Sequence, residues 1–237
     1  MAVTGPLCNN GGPPPTAATM LGFHSIPVTV FEQNATLIWC EQTREAAWVD
    51  PGGSPNRLLA AARERGLDLR QILLTHGHLD HVGGARALAD LAEAPIIGPG
   101  EADRFWLEQL PMQARMFGTD EVQPFLPDQW LAEGDQVRVG NQVLDVYACP
   151  GHTPGHVIFH HAPSRLALVG DVLFAGSIGR TDFPRGNHAE LLHSITAKLW
   201  PLGDDTRFIP GHGPMSTFGR ERQSNPFVGD QVLGSRG

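Results

Sequence analysis

Five histidines and two aspartates carry the chemistry that this chain can do. They are His76, His78, Asp80 and His81 in HGHLDH, His152 in GHTPGH, Asp171 in LVGDVLF and His212 in IPGHGP. Each group follows a short apolar run that reads as a strand, so the donors fall on loops at strand ends. Loops from distant parts of a chain can converge on one rim of a sandwich, and imidazole with carboxylate is a donor set for divalent metals. Seven donors exceed what one tetrahedral ion takes. Along an extended loop residues i and i+2 point the same way, so His76 and His78 would face one ion while Asp80 and His81 turn to another. Two divalent ions are therefore expected, with zinc as the first choice and iron or manganese as alternatives.

The elements that must position these loops are legible in the text between them. IPVTVF, ATLIWC and AAWVD, from Ile26 onward, read as strands of a meander. Ser54, Pro55, Leu58, Leu59 and Gly66 mark a helix of about ten residues, with Ser54 as its N-cap and Gly66 as its C-cap. QILLT runs into the first histidine cluster, after which Val82, Ala85, Leu88, Ala89 and Ala92 repeat at helical spacing. PIIG (95–98) reads as a strand and 101–110 as a helix, whereas 111–130, with three prolines and no period, reads as a long loop that could close over a site. QVRVG, VLDVYA, VIFHH, LALVG and RFIPG are further strands; Leu191, Ile195 and Leu199 form a helix face behind an Asn187–Glu190 capping box. Strands followed by helices, twice over, imply an α/β (α+β) fold, an αββα sandwich of two mixed β-sheets with helices outside.

The chain of 237 residues is long enough for one sizeable core, and 1–22, with Gly11-Gly12-Pro13-Pro14-Pro15, is expected to be a disordered extension before a single domain over 23–237. A formal charge of −8 and a pI near 5.7 remove the electrostatic drive toward nucleic acid and anionic membrane, so no nucleic-acid and no membrane partner is expected. Three scattered cysteines, Cys8, Cys40 and Cys149, with no secretory leader or apolar span, point to a cytoplasmic address. Oligomeric state leaves no mark in this text.

HGHLDH, GHTPGH, the GD at 170–171 and GHGP together resemble the five-motif ligand set of the metallo-β-lactamase superfamily, over roughly residues 23–220. The resemblance implies one metal held by His76, His78 and His152, a second by Asp80, His81 and His212, and Asp171 bridging both. SIGRTDFPRGN (177–187) and IPGHGPMSTFGRERQSNPF (209–227) resemble the short, single-domain glyoxalase II proteins, hydroxyacylglutathione hydrolases that lack the usual helical C-terminal domain. That likeness implies a small-molecule glutathione thioester as partner: S-D-lactoylglutathione cleaved to D-lactate and glutathione, a step of methylglyoxal detoxification. It also implies that Arg180 meets a glutathione carboxylate.

Two ions about 3.5–4 Å apart would supply a bridging hydroxide and polarise the carbonyl, with Asp80 and Asp171 as the carboxylates at the reacting centre. The leaving thiolate, of a thiol with a pKa of about 8.5, needs no strong general acid. GRTDF also occurs in persulfide dioxygenases, which bind one iron through residues matching His76, His152 and Asp171, so oxidation of glutathione persulfide is the alternative. A metal-dependent binding or structural module is a third reading. His156 reads as a group that orients a ligand, Cys149 as a small buried hydrophobe, and His24, His160, His161, His188 and His193 carry no assigned role. Arg180 serves either anion recognition or a pair with Asp182, and Phe183 either walls a pocket or simply packs.

Overall fold

The apolar runs pair as strands of two sheets in a computed structural model that describes residues 20–234. The first sheet holds β1 (Leu21–Val28), β2 (Gln33–Cys40), β3 (Glu45–Val49), β4 (Asp68–Leu73) and β5 (Ile96–Ile97), in that order. Its first three strands are an antiparallel meander, and β4 and β5 add in parallel. The second sheet has the order β13 (Ser216–Thr217), β12 (Arg207–Pro210), β9 (Leu166–Gly170), β8 (Val157–His161), β7 (Gln142–Ala148) and β6 (Gln136–Val139). Only its β9–β12 pair is parallel. A separate hairpin joins β10 (Leu173–Phe174) to β11 (Ser177–Ile178).

Burial on both faces explains why the strands read as unbroken apolar runs. In β3, Ala46 and Trp48 join a cluster with Leu58 and Leu59 of α1 (Pro55–Glu64), while Ala47 and Val49 face the other sheet. In β9, Leu166 and Leu168 meet them there, whereas Ala167 and Val169 lie with Leu191 of α6 (His188–Ser194). Each fully buried leucine or valine among them contributes about 1.5–3 kcal/mol. Helices therefore cover both outer faces, and the αββα sandwich expected from the sequence is the observed one.

Several boundaries differ from expectation. Leu21 and Gly22, expected to belong to an extension over 1–22, instead open β1 opposite Cys40 and Trp39; residues 1–19 lie outside the described residues. Ser54 stands at the N-cap of α1 with left-handed backbone and no side-chain cap bond, and Arg65 rather than Gly66 is the C-cap. The segment expected to be one helix over 101–110 breaks into a 3₁₀ turn, α4 (Arg104–Glu108) and the start of α5 (Leu110–Phe117). The loop expected over 111–130 is thus helical as far as Phe117, because Pro111 falls in the first turn, where a missing N–H costs nothing. The helix carrying Leu191, Ile195 and Leu199 is capped by Asn187 Oδ1 and passes through a π turn over Ile195–Leu199.

Candidate metal centre

The HGHLDH segment leaves β4 and is held from two sides. Asp50, at the end of β3, accepts from Thr75 N at 2.7 Å and Thr75 Oγ1 at 2.6 Å, and its Oδ2 lies 2.9 Å from His81 Nδ1. Asp103 accepts from Gly77 N at 2.8 Å, Thr153 Oγ1 at 2.8 Å and Gly155 N at 2.6 Å, so one carboxylate ties HGHLDH to GHTPGH. His78, in extended backbone, caps α2 (Leu79–Val82), whose first amide donates to Gln113 Oε1. The loop is therefore extended only as far as His78, and Asp80 and His81 project from a helical turn instead of the extended run expected.

Four of the five donor rings, those of His76, His81, His152 and His212, are aimed by their other nitrogen. His152 Nδ1 donates to the Arg180 carbonyl at 2.7 Å, which leaves Nε2 as a lone pair 2.9 Å from His78 Nδ1. His212 Nδ1 donates to the Phe31 carbonyl at 3.1 Å, and its Nε2 lies 3.1 Å from Asp80 Oδ2. Asp171 stands between: Oδ1 is 3.3 Å from His81 Nε2, and Oδ2 is 3.7 Å from both His152 Nε2 and His212 Nε2. His156 accepts from the Asp171 amide at 3.1 Å and stacks on His76, in keeping with an orienting part.

The donor atoms of His76, His78 and His152 lie within 4.8 Å of one another, as do those of Asp80, His81 and His212. Asp50, His76 and His81 form a third such group, but the Asp50 oxygens are already engaged by Thr75 and His81. All seven residues picked from the sequence are thus brought to one rim. His76 Nε2, His78 Nε2, His81 Nε2 and Asp171 Oδ1 are buried without a hydrogen-bond partner among the described residues. Orphaned donors of this chemistry fit divalent cations.

Charge tells the same story. Burial holds His76 far below the ordinary imidazole range, with the neighbouring imidazoles adding to it, and pushes His78 down to about 3. These rings stay neutral and offer lone pairs. Burial opposes protonation of His81 as well, yet the Asp171 and Asp80 carboxylates raise it well above its usual value. His212 is likewise raised, against burial, by its bond to Asp80 and the charge of Asp171. Asp171 lies well below the carboxylate range because the His81 charge outweighs its burial. Two carboxylates thus draw protons onto two imidazoles, which is the demand for positive charge that divalent ions meet.

Backbone approaches the cluster where glycine stands. A Cβ on Gly211 would sit 2.1 Å from Asp171 Oδ1 and 2.5 Å from His81 Cε1. Gly211→Ala is therefore expected to keep its far-ultraviolet circular dichroism and to bind metal at least about tenfold more weakly, the scale for disturbed ligand supports, as read by competition with a chromophoric chelator.

The cluster opens into a pocket of about 520 Å³. Over His78 and His152 stand Phe183 and Trp106, with the Phe183 and His78 ring centroids 5.1 Å apart. Arg180 lies 4.2 Å above the Phe183 ring and makes a bidentate pair with Asp182 at 2.7 and 2.6 Å, with its side chain 60% exposed. Of the two readings of Arg180, the pair with Asp182 is present, and Arg180 is also among the residues lining the pocket. Cys149 is fully buried and burial pushes its thiol up to about 12, as a packing residue requires.

Residues 28–212 match the model of the metallo-beta-lactamase superfamily, and the chain belongs to that superfamily. It is a metal-dependent hydrolase by class. It is 48% identical over 204 residues to a protein of Haemophilus influenzae named hydroxyacylglutathione hydrolase GloC, covering 86% of this chain and 96% of that one. Among solved structures it resembles the BLEG-1 B3 metallo-beta-lactamase, at 35% identity and a TM-score of 0.81 over 87% of this chain and 99% of that one. It also resembles TTHA1623 in a di-iron-bound form, at 36% identity and a TM-score of 0.79 over 86% and 100%. No helix among the described residues is long and apolar enough to cross a membrane.

Sequence reasoning missed Asp50, Asp103 and Gln113. Asp50 had one available signal: it is the lone carboxylate at the end of the apolar run AAWV, where the chain leaves the strand for PGG. Asp103 and Gln113 had none, since the ligand loops that they hold lie 26 to 52 and 34 residues away.

Proposed function

We propose that the protein hydrolyses a glutathione thioester, S-D-lactoylglutathione, to D-lactate and glutathione. In this reading His76, His78 and His152 hold one divalent ion, Asp80, His81 and His212 a second, and Asp171 serves both. The observation that carries it is the convergence of seven donors with Asp171 oxygens 3.3 to 3.7 Å from rings of both groups. Likeness to a protein named hydroxyacylglutathione hydrolase GloC supports the choice of substrate.

Two bound ions would lower the pKa of water toward neutrality and polarise the scissile carbonyl. The protein's part is positioning and proton handling. Asp80 lines the pocket with Oδ2 beside His212, and so is placed to take up the proton released by the attacking water. Phe183 and Trp106 shield the His78 side from solvent. Arg180 Nη1, without a partner among the described residues, meets a carboxylate of the thiol arm. No side chain needs to protonate the departing thiolate. Zinc suits the His and carboxylate set, and iron is the alternative that a di-iron-bound neighbour makes concrete. The buried free thiols Cys40 and Cys149 fit a reducing cytoplasm.

Fresh protein is expected to carry about two metals per chain and to deplete the thioester absorbance of S-D-lactoylglutathione; chelator should abolish turnover before the circular dichroism changes. Oxygen uptake on glutathione persulfide with a single iron per chain would overturn the hydrolase. Loss of fold together with metal would make the ions structural.

Arg180→Gln is expected to raise KM for S-D-lactoylglutathione by about three- to tenfold with kcat within about twofold, because an exposed, already paired guanidinium contributes about 1 kcal/mol. A fall in kcat with KM unchanged would remove it from ground-state binding.

A further inference from the structure

The two walls of the pocket differ in chemistry. One, over His78 and His152, carries Phe183 and the guanidinium of Arg180. The other adjoins His212, where Phe31 lends its carbonyl to the ring and Phe174 lies 6.3 Å from it. Phe31 packs edge-on against Phe117 at 5.4 Å, and α5 extends this wall with Met112 and Met116, one helical turn apart. None of the lining residues on this second wall is ionisable. Met112, Met116 and Phe117 are 41%, 68% and 43% exposed, three of the eight exposed large hydrophobic residues described, within six positions of one helix.

An apolar patch of this kind at the mouth of a reactive site marks a surface that a ligand covers, and thioether side chains adapt to varied shapes. A glutathione thioester carries its charges on the thiol arm alone. The charged arm is drawn to the wall with the guanidinium, which leaves the acyl arm to the other wall.

Building on the thioester reading, we propose that Phe31, Met112, Met116 and Phe117 form an acyl-binding wall, and that it makes apolar acyl thioesters, longer than lactoyl, the preferred substrates. Methionines this exposed are half-covered by a chain lying along them. Half the burial of a methylene corresponds to roughly a twofold gain in kcat/KM, so four methylenes, from acetyl to hexanoyl, give roughly 15-fold.

The test is a series of S-acetyl-, S-butanoyl- and S-hexanoylglutathione on the metal-loaded enzyme, with S-D-lactoylglutathione beside it. The expected result is kcat/KM rising along the series, and a hexanoyl-to-acetyl ratio that collapses to about threefold or less in Met112→Ser/Met116→Ser. A ratio of twofold or below in the wild type would overturn the wall, and so would a double variant that keeps the wild-type ratio. Calorimetric binding of S-hexylglutathione and S-methylglutathione, neither of which can be hydrolysed, separates this from the reaction itself. Tighter binding of the hexyl compound by about tenfold, lost in the double variant, would uphold the wall even if no thioester were cleaved. Equal binding of the two would overturn it while leaving thioester hydrolysis in place.

Discussion

Asp171→Ala is expected to retain at most one metal per chain and to lose turnover of S-D-lactoylglutathione by about 10³-fold or more, the scale on which single groups at developing charge act. Asp171 has oxygens near donors of both histidine groups, at 3.3 Å from His81 and 3.7 Å from His152 and His212, and unlike those of Asp50 they are not taken up by the Thr75 amide and hydroxyl. Removing it takes away a negative charge that His81 needs and leaves a cluster dominated by imidazoles, which repel a second cation. Metal analysis and steady-state kinetics on one preparation decide the matter. Two metals with activity within tenfold of wild type would contradict the bridging role. Asp171→Asn sharpens the comparison, since the amide keeps the shape and the backbone bond from Asp171 N to His156 while losing the charge.

Asp103→Ala is expected to cost about 3–5 kcal/mol and to lower the melting temperature by roughly 6–20 °C, at about 2–4 °C per kcal/mol for a chain of this size. The Asp103 carboxylate is buried and accepts from Gly77 N, Thr153 Oγ1 and Gly155 N. Burial pushes it up to about 6, against the pull of those three donors. Alanine leaves all three donors unpaired in a dry place, and the loops bearing His76, His78 and His152 lose the group that holds them together. Metal affinity is expected to fall with stability. Asp103→Asn keeps one acceptor oxygen and turns an amide toward a donor, so its loss should be about half as large. A melting temperature within 2 °C of wild type for Asp103→Ala would show that the two loops are held by something else.

The sequence by itself determined the donor set. Imidazole and carboxylate are recognisable as ligands wherever they stand, and His76, His78, Asp80, His81, His152, Asp171 and His212 each follow an apolar run that could only be a strand or its end. The same runs, followed by helical spacing twice over, imply two sheets packed face to face with helices outside. The tertiary structure alone decided what holds and surrounds the donors. Asp50 reaches Thr75 and His81 across 25 and 31 residues, and Asp103 joins loops 26 and 52 residues away, contacts with no local signature because a side-chain bond to distant backbone leaves no period in the sequence. The helix α5 was hidden by Pro111, which breaks a helix anywhere but in the first turn, where it stands. With that helix went the apolar wall, since Met112 and Met116 share a face of the pocket only once the backbone between them is wound.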